Sequence, residues 1–189
     1  VAPGEELPNP PKVQHKSHIP KAMFIALTAR PNPARDFNGK VGIFSCTKIV
    51  EAQRNSKNHA AGDMMEVDVS VTAEYYREMM EERILPAIIH AMPWAGKGGR
   101  TLVYQHDGAT PHTGKGNGEY WPEMLARKFP GRSIEVVTQP AQSPDLNTLD
   151  LGFFNSLAHL ADDTDPESLS ELLDAVELCY WDYDPDTLE

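Results

Sequence analysis

Apolar and polar positions alternate along this chain in two different rhythms, and the switches between them mark out the elements. Lys21–Arg30 is a short apolar run closed by Pro31 and Pro33, the pattern of a buried strand. Asn38-Gly39 lies between two apolar stretches, a hairpin signal. Residues 51–63 are polar and predict a loop. Met65, Val67, Val69 and Val71 alternate with Glu66, Asp68 and Ser70, as in a half-exposed strand. Thr72 is placed to cap a helix whose apolar face is Tyr76, Met79, Met80, Ile84, Ala87, Ile88 and Ala91, with a kink at Pro86.

Three glycines at 96, 98 and 99 then precede Thr101–Asp107, a second buried strand. Trp121, Met124, Leu125 and Phe129 line the next helix, which Pro130-Gly131 ends. Ser133–Pro140 is a third core strand. Leu149, Phe153, Leu157 and Leu160 line another helix, and the last is expected to start at Asp165-Pro166, with proline at its first position. Its apolar face is Leu169, Leu172, Leu173, Val176, Cys179 and Tyr180. Strands alternating with helices predict an α/β fold. Residues 1–20 hold five prolines and no periodicity, so the expected organisation is an extended arm over 1–20 and one domain over 21–189.

Length allows one sizeable core. No apolar run approaches the roughly 18 residues of a membrane helix, so no membrane partner is expected. Cys46 and Cys179 stand far apart, which speaks against a disulfide framework or a zinc ribbon. The chain opens on Val1 rather than Met and so has the look of a fragment or processed product.

Charge changes the picture more. The net charge is −11, yet residues 1–60 carry nine Lys and Arg against four acids, while residues 61–189 carry eight against twenty-four. Asp145–Glu189 holds thirteen acids and no Lys or Arg. Nucleic acid would have to approach the basic N-terminal part and avoid the acidic end, unless cations or a basic partner neutralise it. The plain reading of most of those acids is a solvated helical surface.

The candidate chemistry lies at two acids. Asp107 stands where an apolar strand gives way to a polar, glycine-containing turn, and Asp150 stands at a helix start after another core strand. Sites in α/β sheets form at the carboxyl ends of strands. Two carboxylates converging there repel unless a hard cation sits between them. Each residue alone has a plainer role, Asp107 as a turn residue and Asp150 at a helix N-terminus.

The residue strings around them are more specific. Gln105–Gly114, QHDGATPHTG, resembles the string around the second catalytic aspartate of mariner-type transposases, built on Gln-Asp-Asn-Ala-Pro-x-His. Gln139–Phe154, QPAQSPDLNTLDLGFF, resembles the family's Pro-x-x-Ser-Pro-Asp-Leu-Asn string, whose third catalytic acid falls five positions after the Asp of Ser-Pro-Asp. Here that position is Asp150, as in the all-aspartate branch. SHIPKAMFIALTARP at 17–31, DFNGKVGIF at 36–44 and ILPAI at 84–88 resemble the same branch upstream. The likeness covers nearly the whole chain. Three departures stand out, the most serious being that no residue here matches the family's first catalytic aspartate. Gly108 replaces a common Asn. The 42 residues between Asp107 and Asp150 slightly exceed what that branch leads one to expect, and the surplus is expected in the Gly114–Gly118 loop.

The resemblance implies an RNase H-like mixed sheet flanked by helices and missing its first strands. It also implies a DDE-type transposase core in which Asp107 and Asp150 hold two Mg2+ or Mn2+ ions together with an upstream aspartate. No residue here matches that first aspartate. Asp36, Glu66 and Asp68 fall in segments where the family places no ligand. The expected activity of the complete protein is metal-dependent DNA cleavage and strand transfer at transposon ends, in the nucleus and with homodimerisation as a further expectation; the isolated chain is expected to be inactive. A different class of reading makes the chain a domesticated, transposase-derived interaction module without nuclease activity, its acidic end meeting a basic protein. An RNase H-like nuclease acting on another nucleic acid is a third.

His112 matches the family's histidine and is expected to serve as a turn residue bonded to backbone, with phosphate or water positioning as its rival role. His106 is expected on the opposite strand face from Asp107 and is left out of the site. His15-x-x-His18 has no nearby cysteine and reads as a polar arm segment. Asp145 reads as a turn residue. Trp94, Trp121 and Trp181 read as core or surface anchors, since no Lys or Arg interleaves them.

Overall fold

The structure is a computed structural model that describes residues 21–56, 59–114, 117–147 and 149–185. The expected arm, with His15 and His18, lies outside the described residues. Strands β1 (Phe24–Thr28) and β2 (Lys40–Ser45) pair antiparallel, with Phe24 opposite Ser45 and a register slip between Leu27 and Thr28. The expected turn at Asn38-Gly39 is displaced. The chain reverses at Pro33–Arg35, inside an Asn32–Phe37 bridge, where proline pre-sets the turn. Gly39, at φ 92°, lies on the returning limb, where its carbonyl accepts from the Ala29 N–H at 2.8 Å.

A strand that the sequence pattern does not announce, β3 (Thr47–Glu51), pairs antiparallel with β4 (Met64–Asp68) around the expected polar loop. Thr72 caps α1 (Ala73–Met79) by accepting from the Tyr75 N–H. The chain then widens into a π-helical turn, Met80–Ile84, before α2 (Leu85–Ala91). Pro86 explains the widening. A proline cannot donate to the preceding turn, so the backbone adjusts there.

β5 (Thr101–His106) and β6 (Ser133–Thr138) pair parallel, joined through α3 (Thr110–Thr113) and α4 (Asn117–Lys128). A π-helical turn at Leu149–Phe153 leads into α5 (Phe154–Asp162), and Gly152 at φ 146° breaks the regular helix expected from Leu149. The last helix, α6 (Leu169–Asp182), starts later than Asp165-Pro166. Ser168 caps it by accepting from Glu171 N–H, and Asp165 sits before it in a left-handed conformation. A good side-chain cap outcompetes proline pre-organisation at this end.

The described residues form a mixed α/β fold of three two-stranded sheets and several helices. One helical layer, α1–α2 with α4, buries Tyr76, Met80, Ile84, Leu85 and Met124 against Leu27 and Val41, with Leu102, Tyr104, Ile134 and Val136 packed alongside. α5 and α6 cover the other side of β1, where Ala26 meets Phe153, Leu157, Val176 and Tyr180. Both β1–β2 and β5–β6 therefore lie against the same first layer, yet they do not pair with each other. Cavities separate β1 from β5. Phe24–Ala26 face Tyr104–Asp107 across one, and Ala26–Arg30 face Leu102–Gln105 across the next.

The acids of α6 and its approach, among them Asp163, Glu167, Glu171, Asp174 and Glu177, are exposed, as a solvated surface requires. Among the described residues no helix is long and apolar enough to cross a membrane. Trp121 is buried, Trp94 packs edge-on to Phe37 beneath Arg35, and Trp181 is about half exposed (48%).

Candidate functional site

β5 ends at His106, so Asp107 is the first residue beyond the strand and stands at the mouth of one cavity. Its Oδ1 accepts from the Ala109 N–H at 2.9 Å, a local turn that short acidic side chains favour. That turn launches α3, where Pro111 fixes the first residues and carries His112 round. His112 Nδ1 then donates to the same Oδ1 at 2.5 Å. The His112 ring thus holds the Asp107 carboxylate, within the turn where a structural role was expected of it. The ring is mostly shielded (16% exposed) and lies 4.0 Å from the Tyr76 ring, between centroids.

His106 departs from expectation. It is buried and lines the same cavity as Asp107, with its Nδ1 donating to the Asp107 carbonyl at 2.9 Å. Strict alternation of side chains holds only within a strand. The strand stops at His106, so Asp107 is free to return toward the same side. Burial lowers the His106 pKa below its ordinary value, with the neighbouring His112 adding to the effect. Behind it the Tyr76 and Tyr104 hydroxyls share a hydrogen bond of 3.1 Å. Burial pushes the Tyr104 phenol up to about 12 and raises Tyr76 as well, so both stay protonated.

The second string reaches the same place. Gln105 Nε2 donates to the Leu146 carbonyl at 2.9 Å, and Gln139 Nε2 donates to the Ser143 carbonyl at 2.6 Å. These bonds draw the Ser143–Leu146 segment against the carboxyl ends of the two parallel strands. Asn147 and Leu149 then line the cavity with Asp107, and Asn147 Oδ1 accepts from the Leu149 N–H at 3.2 Å. Asp150 belongs to the turn that Leu149 begins, while its side chain lies outside the described residues.

Comparison with models of known protein families gives no match, and comparison with curated protein sequences gives none either. The site has to be judged on its own chemistry.

Donor chemistry around Asp107 suits a hard divalent cation in kind. The carboxylate is half exposed (49%), both of its hydrogen bonds fall on one oxygen, and the Asn147 amide lines the same cavity. Among the described residues no three His, Cys, Asp or Glu side chains gather closely enough to hold a metal, and the Asp150 side chain is not among those described.

The acids left out of the site on sequence grounds are occupied elsewhere. Asp36 makes a left-handed turn, Glu66 bonds the Thr47 hydroxyl, and Asp68 accepts from the Met23 N–H at 3.2 Å. Asp145 is exposed in the turn at Pro144–Leu146. Sequence reasoning missed the two glutamine latches, Gln105 and Gln139. Their signal was available: each is a polar residue in or just after an apolar strand, beside a string singled out for other reasons.

Proposed function

We propose that this chain is part of the catalytic core of a mariner-type DDE transposase with an RNase H-like sheet, and that Asp107 and Asp150 supply two of its metal-holding carboxylates. The single observation that carries the reading is the Gln105–Leu146 hydrogen bond. It ties the string bearing Asp107 to the string bearing Asp150 at the carboxyl ends of adjacent parallel strands. A split between β1–β2 and β5–β6, bridged by one helical layer, supports an RNase H-like sheet whose central strand is not among the described residues.

In this reading Asp107 and Asp150 hold the cations and Asn147 borders them. Bound in pairs, such ions activate an attacking oxygen and stabilise a leaving one in phosphoryl transfer. His112 fixes the Asp107 carboxylate through Oδ1 and leaves its second oxygen for a cation. DNA approaches from the basic N-terminal part, away from the exposed acids of α6.

Paramagnetic Mn2+ provides the test. Titrated into the isotope-labelled chain, it should bind weakly and broaden the amide signals of Asp107–Ala109 and Leu149–Phe153 together. Asp107→Asn should abolish both effects. Broadening centred elsewhere, or confined to one of the two segments, would end the proposal. Tight two-site binding by this chain alone would contradict the view that a further carboxylate is needed.

A further inference from the structure

The parallel pairing of β5 and β6 puts the starts of both strands at one end of the molecule and Asp107 at the other. β1 runs the opposite way, from Phe24 near Asp107 to Arg30 near Leu102. The turn that follows it, Pro33–Arg35, therefore meets the loop that enters β5. Two contacts fix the meeting. The Arg35 guanidinium lies 4.9 Å from the centre of the Trp94 ring. Arg132, just before β6, donates from Nη1 to the Pro93 and Ala95 carbonyls at 3.1 and 2.6 Å.

Five cations share this end: Arg30, Arg35, Lys97 and Arg100 are exposed, and Arg132 is half-buried. Among the described residues none of the five is in an ion pair. The nearest acids along the chain are Asp36, beside Arg35, and Glu135, the third residue of β6. Asp182 and Asp184 act on Lys40 from the α6 side of β1–β2. The six residues of β5, at about 3.3 Å each, set this end roughly 20 Å from Asp107. That exceeds the screening length of about 8 Å at physiological salt. The local surplus of positive charge therefore governs what meets this surface, although the whole chain carries −11.

The loop adds neutral donors. Gly98 and Gly99 have φ of 63° and 75°, and a Cβ on either would meet nothing within 4 Å. Their N–H groups make no hydrogen bond among the described residues, so a ligand can reach the backbone itself. Open N–H groups ringed by guanidinium and ammonium groups suit phosphate oxygens. The exposed large apolar side chains all lie outside residues 29–41, 92–102 and 130–134. A membrane or an apolar protein face would have nothing to bury here.

We infer that this end, where Arg35, Lys97, Arg100 and Arg132 surround the Trp94–Arg100 loop, is a sequence-independent contact for the phosphate backbone of duplex DNA, separate from the Asp107 cavity. The inference rests on the proposed function only for the choice of DNA as the polyanion; the charge and the geometry stand without it.

The probe is a fluorescent DNA duplex of arbitrary sequence, titrated with the full chain in EDTA and followed by anisotropy. Binding with a Kd on the order of 10–100 µM is expected at low salt. Log affinity should fall with log salt at a slope of about −3 to −4, as four cations on four phosphates require. Lys97→Glu/Arg100→Glu alters two exposed side chains that make no hydrogen bond among the described residues. It should weaken binding about tenfold or more and flatten the slope by about two, with the urea midpoint unchanged. If the midpoint falls, Lys97→Gln/Arg100→Gln gives the same comparison with half the charge change. Lys12→Glu/Lys16→Glu, an equal change of charge elsewhere, should weaken binding far less. No binding, a slope near zero, or equal losses in the two reversed variants would overturn the inference, since bulk charge would then account for the result. Self-association that excludes DNA would also overturn it and would assign the surface to the acidic α6 of a second copy. EDTA removes divalent cations, so failure here leaves the Mn2+ result for Asp107 and Asp150 standing, and failure there leaves this surface standing.

Discussion

The Tyr180 hydroxyl donates to the Leu27 carbonyl at 2.6 Å, joining the last helix to the first described strand across 153 positions of sequence. The same oxygen accepts from the N–H groups of Val41 and Gly42, at 3.0 and 2.9 Å. It thus fills the place where β1 and β2 slip in register, and its surroundings are fully buried. Tyr180→Phe keeps the ring and strands up to three backbone groups. We expect a loss of about 3 kcal/mol in urea unfolding, since each buried group left unpaired costs roughly 1–3 kcal/mol and relaxation recovers part. A loss below about 0.5 kcal/mol would mean that the hydroxyl is incidental.

Glu81, in the wide turn between α1 and α2, anchors α4. It accepts from the Tyr120 hydroxyl at 2.7 Å and pairs with Arg127 and Lys128 at 3.0 Å. The Tyr120 hydrogen bond, and then Lys128, hold its carboxyl below the usual range. A carboxyl with a depressed folded pKa contributes stability above its unfolded value, near 4.3, and loses it as pH falls through the folded value. Acid unfolding curves should show this limb in the native chain and lack it in Glu81→Gln. An unchanged limb in the variant would place the acid sensitivity elsewhere.

His106 shifts in the same direction for a different reason. Burial depresses its pKa, so the folded chain resists protonating it while the unfolded chain takes a proton near 6.5. Stability from this group is complete above about pH 6.5 and declines as pH falls toward the folded pKa. His112 and Asp107 face it at the cavity, while Tyr76 and Tyr104 stay neutral throughout this range. Histidine carbon NMR should place His106 below the ordinary value, and His106→Gln should flatten the stability slope between about pH 6.5 and 5. A titration at or above 6.5 would contradict the burial.

Much of the molecule was legible in the pattern of residues, and the failures share a cause. Periodicity located β1, β5, β6, the α1–α2 face at Tyr76–Ile88 and the α4 face at Trp121–Leu125, because each of these buries one side against a core. β3 was invisible since Lys48, Ile49 and Glu51 are exposed and its partner is one short strand. The π-helical turns and the late start of α6 follow from local competition among proline, glycine and caps, which periodicity does not weigh. At the site, Asp107 fell where the strand end predicted. His106 was misjudged because its partner depends on how the chain turns after β5.

Gly96 and Gly98 separate conformational strain from crowding in one loop. Both have positive φ, 68° and 63°. A Cβ on Gly96 would lie 2.7 Å from the Ser133 carbonyl oxygen, whereas one on Gly98 meets nothing within 4 Å. Gly96 also accepts from the Ser133 N–H at 2.7 Å, which fixes the entry to β6 and leaves the backbone little room to retreat. Gly98→Ala should therefore cost about 1 kcal/mol, the left-handed penalty alone. Gly96→Ala adds a backbone clash and should cost about 3 kcal/mol, at the upper end for a strained site. Urea unfolding of the two variants side by side measures the difference. Equal losses would mean that the loop relaxes freely and that the Gly96–Ser133 contact does not position β6.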